Sequence, residues 1–79
     1  MIKTFDIQEI NIKNDLLSLI VDGIIYKVSL ESISQKLLVA NEIERNLFKI
    51  SPSGYGIHWP LIDEDLSIAH IIKQGKEIK

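Results

Sequence analysis

The residues best suited to chemistry crowd into one stretch, Ser53-Gly54-Tyr55-Gly56-Ile57-His58-Trp59-Pro60, with Asp63-Glu64-Asp65 just after it. Two glycines let a backbone come close to a partner, while Tyr55, His58 and Trp59 offer rigid contact area. Tyr and Trp are the usual anchors of protein interfaces. Tyr55, His58, Trp59, Asp63, Glu64 and Asp65 therefore form the candidate interaction surface. A structural reading competes with this one and is favoured by chain length. In it Gly54 and Gly56 turn a hairpin, Trp59 plugs the core and His58 faces solvent, because a small domain leans on one large aromatic for burial.

Catalysis fits these residues poorly. A nucleophile needs a base within hydrogen-bond reach and a third group to orient it. Ser51, Ser53 and Asp63 lie near His58 in sequence, but in no spacing that defines a triad. No catalytic residue is assigned, and the chain reads as non-enzymatic. His70 falls on an expected helix and reads as half exposed and inert. Asp63 and Asp65 alternate as calcium ligands do, yet the glycine and the later bidentate Glu of a calcium loop are missing. Asp65 reads instead as the cap of the last helix, with its neighbours solvated; an acidic patch for a basic partner is the alternative. Gly54-Tyr55-Gly56 precedes a strand, whereas a phosphate loop needs a helix N-terminus. No metal and no cofactor are expected.

Composition narrows the partner. The chain has 79 residues, a formal charge of −2 and no cysteine. That length allows a single domain, residues 1–79, and the lack of disulfides suits a reducing cytoplasm. The Met1-Ile2-Lys3-Thr4-Phe5-Asp6 start is not built like a signal peptide. The apolar runs fall far short of the roughly 20 residues that span a bilayer. A cytoplasmic protein without membrane attachment is expected. Cations are dispersed, so a phosphate-tracking groove would have to be assembled in space from Lys3, Lys13, Lys27, Lys36, Arg45 and Lys49. Direct nucleic-acid binding is not expected, and a nucleic-acid-associated regulator is the alternative. The expected partner is another protein or a second copy of this chain, since a short meander leaves strand edges to be covered.

The elements that must position these residues follow from turns and periodicity. Asp22-Gly23 between apolar runs predicts a two-residue hairpin turn. It places Val21 opposite Ile24, Leu19 opposite Tyr26 and Leu17 opposite Val28 on one sheet face. Asn14-Asp15 predicts a second turn, with Ile12 opposite Leu17 and Ile10 opposite Leu19. Phe5 and Ile7 are out of phase with Ile10 and Ile12, which calls for a β-bulge near Gln8-Glu9. The result is a three-stranded antiparallel meander over residues 2–30.

Ser32-Ile33-Ser34-Gln35 matches a capping box. Leu30, Ile33, Leu37 and Leu38 then recur at helical spacing, so a helix should run to about Ala40. A short one follows from Glu42 to Asn46, capped at Asn41; one longer helix is the alternative. Leu47–Ile50 and Gly56–Trp59 predict a second β-hairpin, ended by Pro60. Leu66, Ile68, Ile71 and Ile72 predict a short C-terminal helix that begins at the acids and stops at Gly75, with the last four residues frayed. The fold class is α+β.

The runs Ala40-Asn41-Glu42-Ile43-Glu44-Arg45-Asn46, Gly54-Tyr55-Gly56-Ile57-His58-Trp59-Pro60 and Asp63-Glu64-Asp65-Leu66-Ser67-Ile68 resemble domain-of-unknown-function (DUF) family 2442, a family of small bacterial proteins. The strand-Asp-Gly-strand opening is similar too, so the likeness covers nearly the whole chain. It implies a compact α+β fold with a meander sheet and brings no activity, substrate or catalytic residue. Some relatives join this domain to a helix-turn-helix segment. Others stand alone beside another small gene, in a toxin–antitoxin-like arrangement.

Overall fold

The computed structural model describes residues 5–52 and 54–78, the last three by backbone alone. Expectations that fall on residues 1–4, on Ser53 or on Lys79, including Lys3 as part of a basic face, lie outside the described residues.

Two tight turns shape the first sheet. Asn14 and Asp15 have φ of 53° and 61°, and Asp22 and Gly23 have 51° and 81°. Paired positive φ values match the right-handed twist of the strands on either side. The turns join β1 (Ile7–Lys13), β2 (Leu16–Val21) and β3 (Ile24–Ser29). Leu19 lies opposite Tyr26 and Ile10 on its two sides, and Leu17 lies opposite Val28 and Ile12, as the spacing predicts. The bulge also falls where expected, with the register slipping by one residue between Ile7 and Glu9. Leu17, Leu19, Val21 and Val28 are buried on the inner face.

The middle segment departs from the sequence reading. Ser32 caps nothing and sits inside α1 (Leu30–Ile33), which is capped by Ser29. Ser34 then takes an extended conformation (φ −159°, ψ 108°) and caps α2 (Gln35–Leu38). One expected helix is thus two single turns with a break between them. The reason is tertiary: the Ser34 hydroxyl accepts from the Leu37 amide at 3.1 Å and donates to Glu64 Oε2 at 2.6 Å. Satisfying this buried hydroxyl outweighs helix continuity. Leu30 and Leu37 still reach the core with no exposed surface. The next helix, α3 (Glu42–Asn46), carries the expected reciprocal capping box between Asn41 and Glu44.

A second sheet follows, built from β4 (Lys49–Ile50), β5 (Gly56–Trp59) and β6 (Glu64–Ser67) in that order. The hairpin of β4 and β5 was expected; β6 was not. Glu64, Asp65 and Leu66 are strand residues, and Ser67, not Asp65, caps α4 (Ile68–Gln74). Leu66 and Ile68 fit a period of two as well as one of 3.6. Pairing Leu66 against Ile57 on β5 decides between them. Gly75 ends α4 as expected, with its amide on the Ile71 carbonyl at 2.8 Å. Its φ of −87° is ordinary, so close quarters rather than handedness favour glycine: a Cβ there would lie 3.0 Å from Ile71 O and 3.2 Å from Lys27 O. Lys76–Ile78 is not frayed. It forms β7 and pairs antiparallel with β3, giving a four-stranded sheet β1-β2-β3-β7. No helix among the described residues is long and apolar enough to cross a membrane.

Both sheets close over one core, with Trp59, Ile57, Leu66, Ile68 and Ile71 joining the meander residues. Trp59 is fully buried, and its indole N–H donates to the Arg45 carbonyl at 3.0 Å. The Arg45 guanidinium in turn donates to the carbonyls of Leu37 and Leu38, which end α2, and to Asp15 in the first turn at 2.7 Å. One residue therefore joins the meander, the helical segment and the second sheet. Trp59→Phe should retain much of the packing but leave the Arg45 carbonyl unpaired. Urea titration should then show about 1–3 kcal/mol of lost stability. An unchanged midpoint would mean that this hydrogen bond does not hold the sheets together.

Candidate functional site

Alternation along β5 sorts the chemistry of this segment. Ile57 and Trp59 turn into the core, which leaves Gly56 and His58 on the outer face. The neighbouring strands bring Lys49 and Asp65 to either side of His58, so Lys49, His58 and Asp65 form one row across the sheet. Gly56 and Ser67 lie opposite each other one step further along. His58 Nδ1 is 2.8 Å from Asp65 Oδ1, with the two side chains 40% and 76% exposed. In the neutral tautomer that donates from Nδ1 to this carboxylate, Nε2 is left as an acceptor for a partner. A pair this exposed adds at most about 1 kcal/mol to stability.

The loop before β5 is held by its own groups. Ser51 Oγ accepts from the amides of Tyr55 and Gly56 at 2.9 and 3.0 Å, and the Gly54 amide donates to the Ser51 carbonyl. Ser51 is thus a staple of this loop. Gly54 has a φ of +69°, and a Cβ there would collide with the Phe5 carbonyl. Tyr55 projects from this loop and is 58% exposed. Together the loop and the sheet face bound an open groove of about 510 Å³, whose lining includes Lys49, Pro52, Tyr55, Gly56, His58 and Asp65.

Of the six candidate surface residues, Tyr55, His58 and Asp65 come together here. Trp59 does not join them; it lies beneath, in the core, as the structural reading had it. Glu64 points to the inner side, where its carboxylate takes the Ser34 hydroxyl and the Asp65 amide. Asp63 closes the turn before β6 with a φ of 50°, and its carbonyl accepts from Lys36 Nζ. The partner of His58 is therefore Asp65, not Asp63. Lys49 and Ser67 are the members that sequence reasoning missed. Lys49 was within reach, because the expected hairpin sets it opposite His58. Among the described residues, no group of three His, Asp or Glu side chains is placed to hold a metal ion.

Among the described residues, the cations considered for nucleic-acid contact do not all share one face. Lys13 and Lys27 line the outer face of the meander beside Glu9, Lys49 lies on the second sheet, and Arg45 and Lys36 are committed to internal partners.

Residues 7–77 match a family described as "Protein of unknown function (DUF2442)". The chain belongs to the DUF2442 family. The match runs from β1 into β7, in keeping with a resemblance that covers nearly the whole chain. No curated protein and no solved structure matches the chain. DUF2442 membership assigns no activity to the Lys49–His58–Asp65 row.

Two glycine substitutions test how the site is positioned. Gly23→Ala meets no atom within 4 Å and should cost about 1 kcal/mol from its positive φ alone. Gly54→Ala should cost more than that, because the Phe5 backbone must also move. Thermal melts that rank the two the other way would break the link between the loop and the meander.

Proposed function

We propose that this chain is a non-enzymatic protein-interaction module, acting as the antitoxin-like partner of a small protein encoded beside it. The docking surface is the outer face of the second sheet. The observation that carries this reading is Tyr55, an exposed aromatic on a stapled loop, lining one open groove together with Gly56, His58 and Lys49. Exposed aromatics on rigid backbones lose little entropy on binding and are typical interface anchors. The catalytic alternative has less support, since Ser51 Oγ is already engaged by two backbone amides and Asp65 is widely solvated.

Titration calorimetry with the product of the adjacent gene tests the proposal. Tyr55→Ser should weaken binding by about thirtyfold, the loss of one central aromatic anchor. Ile25→Ser, on the outer face of the other sheet, should leave it unchanged. Absence of binding by the wild type, or equal binding by Tyr55→Ser, would overturn the reading.

A further inference from the structure

The outer face of the second sheet is charged in a way that fits its own copy. Lys49 stands on one edge strand, Asp65 on the other, and His58 between them. Adjacent strands lie about 4.8 Å apart, so the Lys49 and Asp65 backbones stand about 10 Å from each other with His58 between them. Among the described residues no ion pair engages Lys49, and Asp65 is met by a half-exposed imidazole. Turning the face over about a two-fold axis along β5 sets β4 of one copy over β6 of the other.

We infer that a second copy of this chain docks on this face, with Lys49 of each copy opposite Asp65 of the other. This rests on the docking face proposed above and names an occupant for it. An isologous contact requires such a self-complementary patch. The axis passes along Gly56 and His58, so each of these meets its own counterpart, and Gly56 raises no side chain between the copies. Ser51 of each copy then faces Ser67 of the other. Two four-residue strands and the two-residue β4 cover roughly 160 Å² on each side. With the tyrosines added, this is still well under the about 800 Å² per partner of a standard interface. The dimer is therefore weak and concentration-dependent, and its formation competes with any partner that needs Tyr55.

A charge exchange decides the matter by sedimentation equilibrium from micromolar to millimolar concentration. The wild type should dimerise. Lys49→Asp alone and Asp65→Lys alone should each weaken association by about tenfold or more, because both cross-copy pairs become like-charge pairs. Mixing the two variant chains should restore association as a mixed dimer, since every cation then faces an anion again. Both side chains are exposed, and unchanged thermal midpoints will show that neither exchange unfolds the chain. A wild type that stays monomeric, single variants that dimerise as the wild type does, or a mixture that fails to associate would each overturn the inference. A monomeric wild type that still binds the adjacent-gene product through Tyr55 would do so while leaving the docking surface itself in place.

Discussion

The indole of Trp59 buries a large apolar surface and, with it, one hydrogen-bond donor that cannot be left unpaired. The Arg45 carbonyl meets that donor at 3.0 Å, while the guanidinium of the same residue reaches Leu37, Leu38 and Asp15. Two helix-end carbonyls and a turn carboxylate are thus satisfied by one side chain whose exposure is 16%. Helix termini buried without partners are costly, and α2 is too short to bear that cost on its own. The four-stranded sheet, the broken helical segment and the three-stranded sheet meet through this one residue. A domain of this size has little other surface with which to join them.

A second junction, between Ser34 and Glu64, explains two of the places where local pattern and fold disagree. Ser34 breaks the helix that periodicity would continue, and Glu64 belongs to a strand where acidity suggested a helix start. Each choice is unfavourable alone. Together they put a hydroxyl and a carboxylate oxygen 2.6 Å apart at the boundary of the core. The Lys36 ammonium on the Asp63 carbonyl closes the same seam from outside. With Glu64 drawn inward, Asp65 is left on the outer face beside His58. The composition of the candidate surface is therefore a by-product of how the core is sealed.

That surface owes its rigidity to what lies under it. Trp59 and Ile57 are immobilised in the core, so His58 and Gly56 between them are fixed on the outer side of the same four-residue strand. Ser51 holds the preceding loop through two amides, and Gly54 lets it lie against the Phe5 backbone. An aromatic side chain raised on such a support is ordered before any partner arrives. That lowers the entropic cost of docking.

The meander was legible from residue types alone. Asn14-Asp15 and Asp22-Gly23 are turn chemistry, and a period-two pattern leaves one register in which Leu17, Leu19 and Val21 share a face. The bulge at Gln8-Glu9 followed by phase, and the Asn41 cap by local spacing. These are short-range effects, in which each residue's preference depends on its immediate neighbours. Ser32, Asp65 and Lys76–Ile78 were misplaced for the opposite reason. Leu66 and Ile68 satisfy two periodicities at once, and Lys76–Ile78 becomes a strand only because β3 presents an open edge to it. Tyr55 and His58 stood out by type, but their company did not. That Lys49 and Asp65 flank His58, and that Trp59 lies beneath rather than beside it, was decided by strand pairing between segments distant in the chain. No local pattern encodes the free energy of such contacts.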